Sequence, residues 1–435
     1  MIGIRLLGLL ITVAVLALTV RSTSPALVNP IEAHGHPLET FFRTQDAHKA
    51  IDILKRAGAR TVAKKTAPGR FTVAEGGVMG RTKAAVLRNG TVAIAWVISD
   101  VGIGVQMTIY SPPGELLKGY PVRVCGDCMV ADIIASDDGG FWCITVDNFI
   151  PSRSDTTTVS ARKYNAQAVA LQVIPLGSDV VVFPYPGYSF GLLRGKAVQY
   201  YPGALKAGDE VVLERYPLDQ DAPIFRTKFH PSPYTNGMSN AMILKDGRIF
   251  VAWINDENGA RHIHGGCFDP TRGVIEKKFV IGAMGSREDT PMISTLDGNG
   301  YLVTWHDPDF KYEVSGIHGR FYDAQCQPSG PAQVLVGARA VRSQAIALGD
   351  GQVLVVFDDA SFGPDGWDIN AVILQNGEIV RRIAVAGGRG HQSDPVAAIL
   401  PDRSFVIFWW EGRIGGTFNK IYGRKFLPQI SSHKN

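Results

Sequence analysis

An aromatic residue recurs at a spacing of 52 residues through the second half of the chain, at Trp253, Trp305, Phe357 and Trp409. Each copy ends an apolar, β-type strand that follows a polar turn, as in the stretch from Lys245 to Trp253. Asp-Gly pairs are turn signals, and alternating apolar residues favour a strand. A constant period of this length is the signature of a repeat architecture. The spacing therefore predicts a series of similar β units.

Weaker copies extend the repeat towards the N-terminus. Trp96 ends a close copy, Thr145 stands in the aromatic position of another, and Tyr201 ends a degenerate copy between Thr145 and Trp253. The count is seven, and each copy also holds one strand before the turn and two strands after the aromatic residue. Four short antiparallel strands per repeat are typical of a propeller blade. We therefore predict an all-β, seven-bladed β-propeller of four-stranded antiparallel blades, spanning residues 70–428.

The two ends of the repeat are out of phase by one strand. The last copy stops after its third strand, Ile421 to Phe426, and lacks a fourth. Near the start, Arg70 to Ala74 matches the fourth strand Arg382 to Ala386 of an internal copy. We therefore expect the N-terminal strand to complete the last blade and to close the ring.

The segments outside the repeat are a leader, an extension and a short tail. Residues 1–21 contain an uncharged apolar run that suits either a signal peptide or an uncleaved signal anchor. Residues 22–69 form an extension with one predicted helix at about 46–57, where apolar residues share one helical face. Residues 429–435 are a C-terminal tail. The propeller is therefore expected outside the cytoplasm, secreted, periplasmic or anchored, with residues 4–20 as the candidate membrane tether.

Charge and cysteine usage narrow the partners and cofactors. The net charge is +4 over 435 residues and no basic block stands out, so nucleic acid is not an expected partner. Cys125 and Cys128 enclose two residues, a pattern open to a metal knuckle, a redox pair or a local disulfide. Without a second such pair or a nearby histidine, zinc is not expected, and we favour a disulfide.

Polar and acidic residues collect where the second strand of each copy leads into the third, opposite the Asp-Gly turns. We call this edge of the blades the loop face and the opposite edge the turn face. Carboxylates that recur in register usually cap turns or pair with a recurring arginine, here Arg162, Arg320 and Arg424, so function is expected from residues that differ between copies. The candidate ligand-binding residues on the loop face are Arg287, Glu288, Asp289, Arg342, Arg389, His391, Asp394, Asp307, Asp359, Glu411 and Trp367. No cofactor or metal ligand is assigned, although the carboxylates are compatible with Ca²⁺.

The last copies resemble a known type of repeat. The run from Asp394 to Trp409, followed by Ile421 to Phe426, is similar to the propeller-like repeats, about fifty residues long, of bacterial surface and calcium-binding adhesin-type proteins. The likeness covers the last four copies well, the first two partly and the third barely. It implies a propeller architecture and an extracellular setting, and it implies no catalytic residue because these repeats share none.

Two functions are consistent with these patterns. The first is an extracytoplasmic binding module whose loop face contacts a glycan, a surface polymer or a protein. The alternative is an extracytoplasmic hydrolase or lyase that acts on glycans with acids, arginine and histidine of the same face. A sialidase is not expected, because the turns lack the leading hydroxyl residue of sialidase turns. A fold alone specifies no reaction.

Overall fold

The structure is a computed structural model of the chain. It describes residues 65–67, 69–98, 103–111, 115–116, 121–147, 157–180, 189–193, 196–205, 208–215, 225–231, 239–244, 246–257, 260–269, 271–282, 288–296, 300–307, 316–337, 339–360, 366–388, 390–412 and 419–427. The leader at 1–21, the predicted helix at 46–57 and the tail at 429–435 lie outside these ranges, and so do nearly all of the other residues of the 22–69 extension. Every regular element within them is a β-strand, and they hold no helix long and apolar enough to cross a membrane.

The strands of the described ranges form antiparallel sheets, which we number in chain order. Sheet 1 contains β3 (Val78–Val86), β4 (Val92–Ile98), β5 (Gly104–Tyr110) and β6 (Val122–Gly126). Sheet 2 contains β7 (Cys128–Ala135), β8 (Phe141–Asp147), β9 (Thr157–Tyr164) and β10 (Ala170–Val180). Sheet 3 contains β11 (Ser189–Leu193), β12 (Lys196–Leu205), β13 (Gly208–Arg215) and β14 (Phe225–Pro231).

The remaining sheets follow the same order. Sheet 4 contains β15 (Ser239–Ile243), β16 (Ile249–Glu257), β17 (Ala260–Asp269) and β18 (Val274–Gly282). Sheet 5 contains β19 (Asp289–Thr295), β20 (Tyr301–Asp307), β21 (Gly316–Tyr322) and β22 (Gln333–Val336). Sheet 6 contains β23 (Ala340–Gly349), β24 (Gln352–Asp359), β25 (Asp368–Gln375) and β26 (Glu378–Ala386). Sheet 7 contains β27 (His391–Ile399), β28 (Phe405–Gly412), β29 (Lys420–Phe426), β2 (Arg70–Glu75) and β1 (Lys65–Ala67).

Six of these sheets have four strands, in agreement with the predicted repeat unit, and sheet 7 has five. Strand β2 pairs antiparallel with β29, with Arg70 opposite Arg424. The Arg70 guanidinium also donates to Glu411 Oε2 at 2.8 Å and lies 3.6 Å from the centre of the Tyr422 ring. The additional outer strand β1, which was not predicted, pairs with β2. The first two and the last three described strands therefore share one sheet.

The Asp-Gly positions are hairpin turns stabilised by their own acidic or amide side chains. In four copies the side-chain oxygen of the turn residue accepts the backbone N–H two positions later. The pairs are Asn89 with Thr91, Asp138 with Gly140, Asp246 with Arg248, and Asp402 with Ser404. This is the turn chemistry of asparagine and aspartate. The recurring motif is thus a scaffold element on the turn face.

The recurring tryptophans form the cores between neighbouring sheets. Trp96, Trp253, Trp305 and Trp409 are at most 1% exposed. Three of them pack on the third strand of their own sheet: the ring of Trp305 stacks on His318, and the rings of Trp253 and Trp409 lie tilted against His264 and Tyr422. Apolar clusters join sheet 4 to 5, sheet 5 to 6, sheet 6 to 7, and sheet 7 to 1. The stability of each sheet therefore depends on its neighbours.

The first strands of the sheets contact one another in sequence. The contacting pairs are β3 with β7, β7 with β11, β11 with β15, β15 with β19, β19 with β23, β23 with β27, and β27 with β3. A side-chain amide links some of these strands, since Asn240 Oδ1 accepts Ile293 N at 3.0 Å and Gln344 Oε1 accepts Ala397 N at 2.7 Å. The first strands of neighbouring sheets therefore lie side by side.

Two disulfides are formed. One joins Cys125 and Cys128 between sheets 1 and 2. The other joins Cys267 of β17 to Cys326, which follows β21, and so links sheet 4 to sheet 5. This second bridge was not predicted, because its two cysteines are distant along the chain. Cys143 is buried and unbonded, and burial raises the pKa of its thiol to about 12.

Removal of the Cys267–Cys326 disulfide is expected to lower the free energy of unfolding more than removal of the Cys125–Cys128 disulfide. The double variant Cys267→Ser, Cys326→Ser should lose about 4 kcal/mol of unfolding free energy by the chain-entropy estimate, since its cysteines are 59 positions apart. Cys125→Ser with Cys128→Ser, at a separation of 3, should lose about 2 kcal/mol. Urea unfolding of both variants measures the difference. Equal losses would contradict the chain-entropy explanation.

Candidate functional site

The first strands of sheets 5, 6 and 7 carry a β-bulge at the same point of the repeat. The bulged residues are Thr290, Arg342 and Asp394, with φ of 50°, 51° and 55°. A positive φ is unfavourable for residues with a side chain, above all for a β-branched threonine. Bulges re-aim side chains and are frequent beside functional sites, where strained backbone also concentrates. The first strands of sheets 5, 6 and 7 thus present three different side chains at equivalent positions.

Arg342 is held by contacts to two sheets. Its Nη1 donates to Asp358 Oδ2 at 3.1 Å and to Ser393 Oγ at 3.2 Å. Ser393 Oγ in turn donates to Asp358 Oδ2 at 2.7 Å. The guanidinium carbon lies 4.5 Å from the centre of the Trp367 ring. The Arg342 side chain is 22% exposed, so part of this positioned guanidinium faces solvent.

Asp358 lies beneath Arg342 and is completely buried. Burial raises the pKa of its carboxyl group to about 7; the nearby Asp394 raises it further, whereas Arg342 lowers it. Its Oδ1 has no hydrogen-bond partner among the described residues. This carboxyl group is therefore protonated more readily than an exposed aspartate.

Two further ionisable groups surround Arg342. Burial raises the pKa of Asp289, and the charges of Arg261 and Arg342 oppose that rise. Burial lowers the pKa of His306 to about 3, and the charge of Arg342 acts in the same direction. His306 is therefore neutral at physiological pH. We call Asp289, His306, Arg342, Asp358, Ser393 and Asp394 the bulge cluster.

Asp394 lies where sheet 7 meets sheet 1. A Cβ atom at Gly80 would stand 3.0 Å from Asp394 Oδ2, and Gly80 has a φ of +87°. A side chain at this position would be strained and would press on the carboxylate. Glycine in β3 therefore leaves room for the Asp394 side chain.

Aromatic rings border the cluster. The ring centres of Trp367 and His391 are 5.0 Å apart, and those of His391 and Trp410 are 5.6 Å apart. The backbone N–H of Trp367 donates to His391 Nδ1 at 3.4 Å. Trp367 is partly exposed whereas His391 is buried. The edge of the cluster thus offers one accessible indole supported by two buried rings.

The structure brings together some of the predicted ligand-binding residues. Asp289, Arg342 and Asp394 belong to the bulge cluster, and His391 and Trp367 lie at its edge. Arg287 and Arg389 lie outside the described residues.

The other four predicted residues are buried or hydrogen-bonded within the sheets, and ligand binding by them stays a prediction. Glu288 is fully buried and accepts Ile263 N and Trp305 Nε1. Asp307 is 1% exposed. Asp359 accepts the Asn370 side chain at 2.7 Å, and Glu411 pairs with Arg70.

The recurring arginines differ from the expectation that they pair with carboxylates. Arg162 does so, with Asp147 at 2.7 Å. Arg320 donates to the backbone carbonyls of Val280 and Ile281, and Arg424 donates to that of Val385. These carbonyls belong to the fourth strand of the preceding sheet. Two of the three arginines therefore tie neighbouring sheets together.

Asp358, Ser393 and His306 were absent from the predicted ligand-binding residues. Asp358 and His306 directly follow the recurring aromatic residue, at a position where sheet 7 has Trp410 and sheet 1 has Val97. The identity of this position changes from copy to copy, which is the criterion that selected Arg342. The same criterion applied here would have found both residues, whereas the bulges themselves have no sequence signal.

Within the described ranges, one group of side chains has the donor spacing of a metal site, namely Cys125, Cys128 and Asp147. The two cysteines are bonded to each other, and Asp147 accepts hydrogen bonds from Arg162 and Ser160. These donors are engaged and do not fit a metal ion. Calcium binding by the loop-face carboxylates stays a prediction.

No family model and no curated protein sequence matches the chain. Among solved structures, a polysaccharide lyase of family PL25, an ulvan lyase bound to -[GlcA(1-4)Rha3S]-, has a TM-score of 0.51 at 9% identity and covers 80% of this chain and 93% of its own. An α-L-arabinofuranosidase from Fusarium graminearum has a TM-score of 0.46 at 10% identity, with coverages of 85% and 96%. A prolyl endopeptidase has a TM-score of 0.45 at 12% identity, with coverages of 85% and 48%.

The chain thus spans about half the length of the prolyl endopeptidase. At these identities the likeness concerns the fold, which is an all-β, propeller-type arrangement of four-stranded sheets. The resemblance of the repeats to those of adhesin-type proteins has no family match behind it and stays a prediction.

Proposed function

We propose that this chain is a glycan-active enzyme, a hydrolase or a lyase, with its reaction centre in the bulge cluster. The observation that carries the proposal is the grouping of three carboxyl groups near one guanidinium, in which burial raises the pKa of Asp289 and of Asp358. Cleavage of a glycosidic bond by hydrolysis uses one carboxyl group that can give a proton and a second that is ionised. Environments that separate the pKa values of neighbouring carboxyls supply this combination at neutral pH.

The residues of the cluster suit different roles. Asp289 and Asp394 are partly exposed on bulged strands and are the groups that would meet substrate as acid and base. Asp358 is buried and electrostatically coupled to Asp394, so it would act as a positioning residue that tunes that carboxyl group. The exposed part of Arg342 would bind a substrate oxygen, and the Trp367 ring would stack on a sugar face.

The fold proposed for this enzyme is a closed propeller of seven blades. In this arrangement each sheet is one blade and β2 completes the last one, with β1 as an added outer strand. The sequential contacts of the first strands, which return from β27 to β3, support it. The bulge cluster would then lie on the first strands of the blades, at the loop face.

An extracytoplasmic location agrees with the two disulfides. Such bonds persist in oxidising compartments and are rare in the reducing cytosol. A secreted, periplasmic or anchored protein, delivered by the leader at residues 1–21, would meet glycans there. The ulvan lyase of similar fold also acts on a glycan, which is consistent with the proposal.

A binding module that uses the same surface is the second candidate. The partly exposed Trp367, held against Arg342, is a platform that binds sugars without any chemistry. Turnover separates the two candidates. A protein that binds a glycan without producing new chain ends would favour the binding module over the enzyme.

The proposal is tested by incubating the full chain with a panel of neutral and uronate polysaccharides. New reducing ends indicate hydrolysis, and the ultraviolet absorbance of unsaturated uronates indicates elimination. Asp394→Asn is expected to reduce turnover about 100-fold or more, because it removes a proton-transfer group, and to leave the midpoint of thermal unfolding nearly unchanged. Glu378→Gln, at an exposed position on the turn face, is the matched control. Undiminished turnover by Asp394→Asn would place the reaction elsewhere.

A further inference from the structure

A cavity of about 700 Å³ opens on the turn face between sheets 5 and 6. It is bounded by Leu296 and Gly300 of sheet 5, by the turn between β23 and β24, and by the connections β21–β22 and β25–β26. It therefore lies on the opposite face from the bulge cluster. Its polar and aromatic lining includes Phe321, Gln325, Gln333, Gln352 and Asn376.

Unequal connections create this cavity. Between β21 and β22 the chain takes residues 323–332, whereas residues 376 and 377 alone separate β25 from β26. A long connection beside a tight hairpin leaves space between two sheets that are otherwise closely packed. On a repeat protein, such departures from the repeat are where binding surfaces are expected.

The connection between β21 and β22, which forms one side of the cavity, is held in place by hydrogen bonds and a disulfide. Asp323 Oδ1 accepts the N–H groups of Gln325 and Gln327, and the disulfide ties Cys326 to sheet 4. Arg248 of the neighbouring turn donates to Ala324 O at 2.7 Å, and Arg320 Nε donates to Gly330 O at 3.0 Å. A wall that is ordered before binding lowers the entropy cost of holding a ligand.

The chemistry of the lining favours an uncharged, hydrogen-bonding ligand. Asp323 is the charged side chain among the lining residues, and it already accepts two backbone N–H groups. The other polar side chains include four amides, each of which can donate and accept, and Phe321 adds a half-buried ring. Hydroxyl groups beside apolar C–H faces match such a lining, whereas an ion would lack a counter-charge.

We infer that this cavity is a second binding site, for a neutral saccharide. It is separate from the bulge cluster and does not depend on the reaction proposed there. The site would hold a glycan chain on the turn face whether or not the loop face cleaves it.

The test is a titration of the full chain with neutral hexasaccharides of glucose and of xylose, followed by calorimetry. One of them is expected to bind, and Gln333→Ala with Gln352→Ala is expected to weaken binding roughly tenfold or more, since two hydrogen-bonding amides are lost. If the double variant folds poorly, Gln333→Glu replaces it in the test. This single change places a charge in the cavity and should weaken hexasaccharide binding. Gln172→Ala, on the exposed strand β10, is the matched control and should bind as the wild type does.

Asp394→Asn separates this site from the reaction centre and should leave hexasaccharide binding unchanged. The inference fails if neither hexasaccharide binds, if the glutamine variants bind as the wild type does, or if Asp394→Asn abolishes binding. Loss of turnover in Asp394→Asn with retained hexasaccharide binding would support both sites. A result that contradicts one site does not contradict the other.

Discussion

Asp358→Asn is expected to stabilise the protein at about pH 8 and to change its stability little at about pH 4. The carboxyl group of Asp358 has a pKa of about 7 in the folded protein, because it is buried. In the unfolded chain an aspartate has a pKa of about 3.9. Between these values the folded state binds the additional proton, so unfolding becomes easier as the pH rises from about 4 to about 7.

The size of this effect is on the order of 4 kcal/mol, since a difference of one in pKa corresponds to about 1.4 kcal/mol. Asparagine has nearly the same shape and cannot ionise, so the variant avoids this cost. The attraction of Arg342 is already included, because Arg342 lowers the pKa of Asp358 and does not outweigh burial. The stability of the variant should therefore depend less on pH than that of the wild type.

Denaturant unfolding at both pH values measures this difference. Asp359→Asn is the matched control, because Asp359 is the next residue of β24, is partly exposed and accepts the Asn370 side chain. A variant Asp358→Asn that is less stable than the wild type at about pH 8 would show that the ion pair with Arg342 dominates. A buried carboxyl group that lowers stability is typical of a site maintained for function.

Glu288→Ala is expected to lower the free energy of unfolding by about 4 kcal/mol. The Glu288 carboxylate is fully buried and accepts Ile263 N and Trp305 Nε1, both at 3.0 Å. Alanine leaves these two donors buried without a partner, and each unsatisfied donor costs about 1–3 kcal/mol. The Glu288 backbone N–H also donates to Arg261 O. Both the side chain and the backbone of this residue therefore link sheets 4 and 5.

Glu288→Gln distinguishes this explanation from a role of the charge. Glutamine keeps one acceptor oxygen and should recover about half of the loss, as measured by urea unfolding with Glu378→Ala as the exposed control. If Glu288→Ala unfolds at the same denaturant concentration as the wild type, the buried hydrogen bonds contribute nothing. Saccharide binding per folded molecule should be unchanged, because Glu288 does not reach the surface.

The positions of the second strands and of their turns were predicted from local sequence patterns. The spacing of Trp253, Trp305 and Trp409 located the second strands, and the Asp-Gly turns located the hairpins, because both depend on residues within one repeat. These rings, which end apolar strands, are buried in the structure. The fifth strand of sheet 7 was missed, because β1 has no counterpart elsewhere in the chain.

The site was predicted less completely, since its contacts join different repeats. Arg342 was selected because it departs from the repeat, whereas Asp358 was not selected, although it lies beside a recurring aromatic residue. Glu288 was also selected and is fully buried. Burial separates these two acids from the exposed ones, and burial depends on the packing of neighbouring sheets.

The sequence by itself determined an all-β chain of repeated four-stranded units, the position of their turns and the aromatic cores between them. These features arise from short-range periodicity, which is visible without knowing what lies nearby in space. The tertiary structure decided which residues meet across sheets: the bulges that turn Arg342 towards Ser393, the burial that raises the pKa of Asp358, the Cys267–Cys326 bridge and the cavity beside it. These depend on contacts between repeats about fifty residues apart, and the period alone does not specify such contacts.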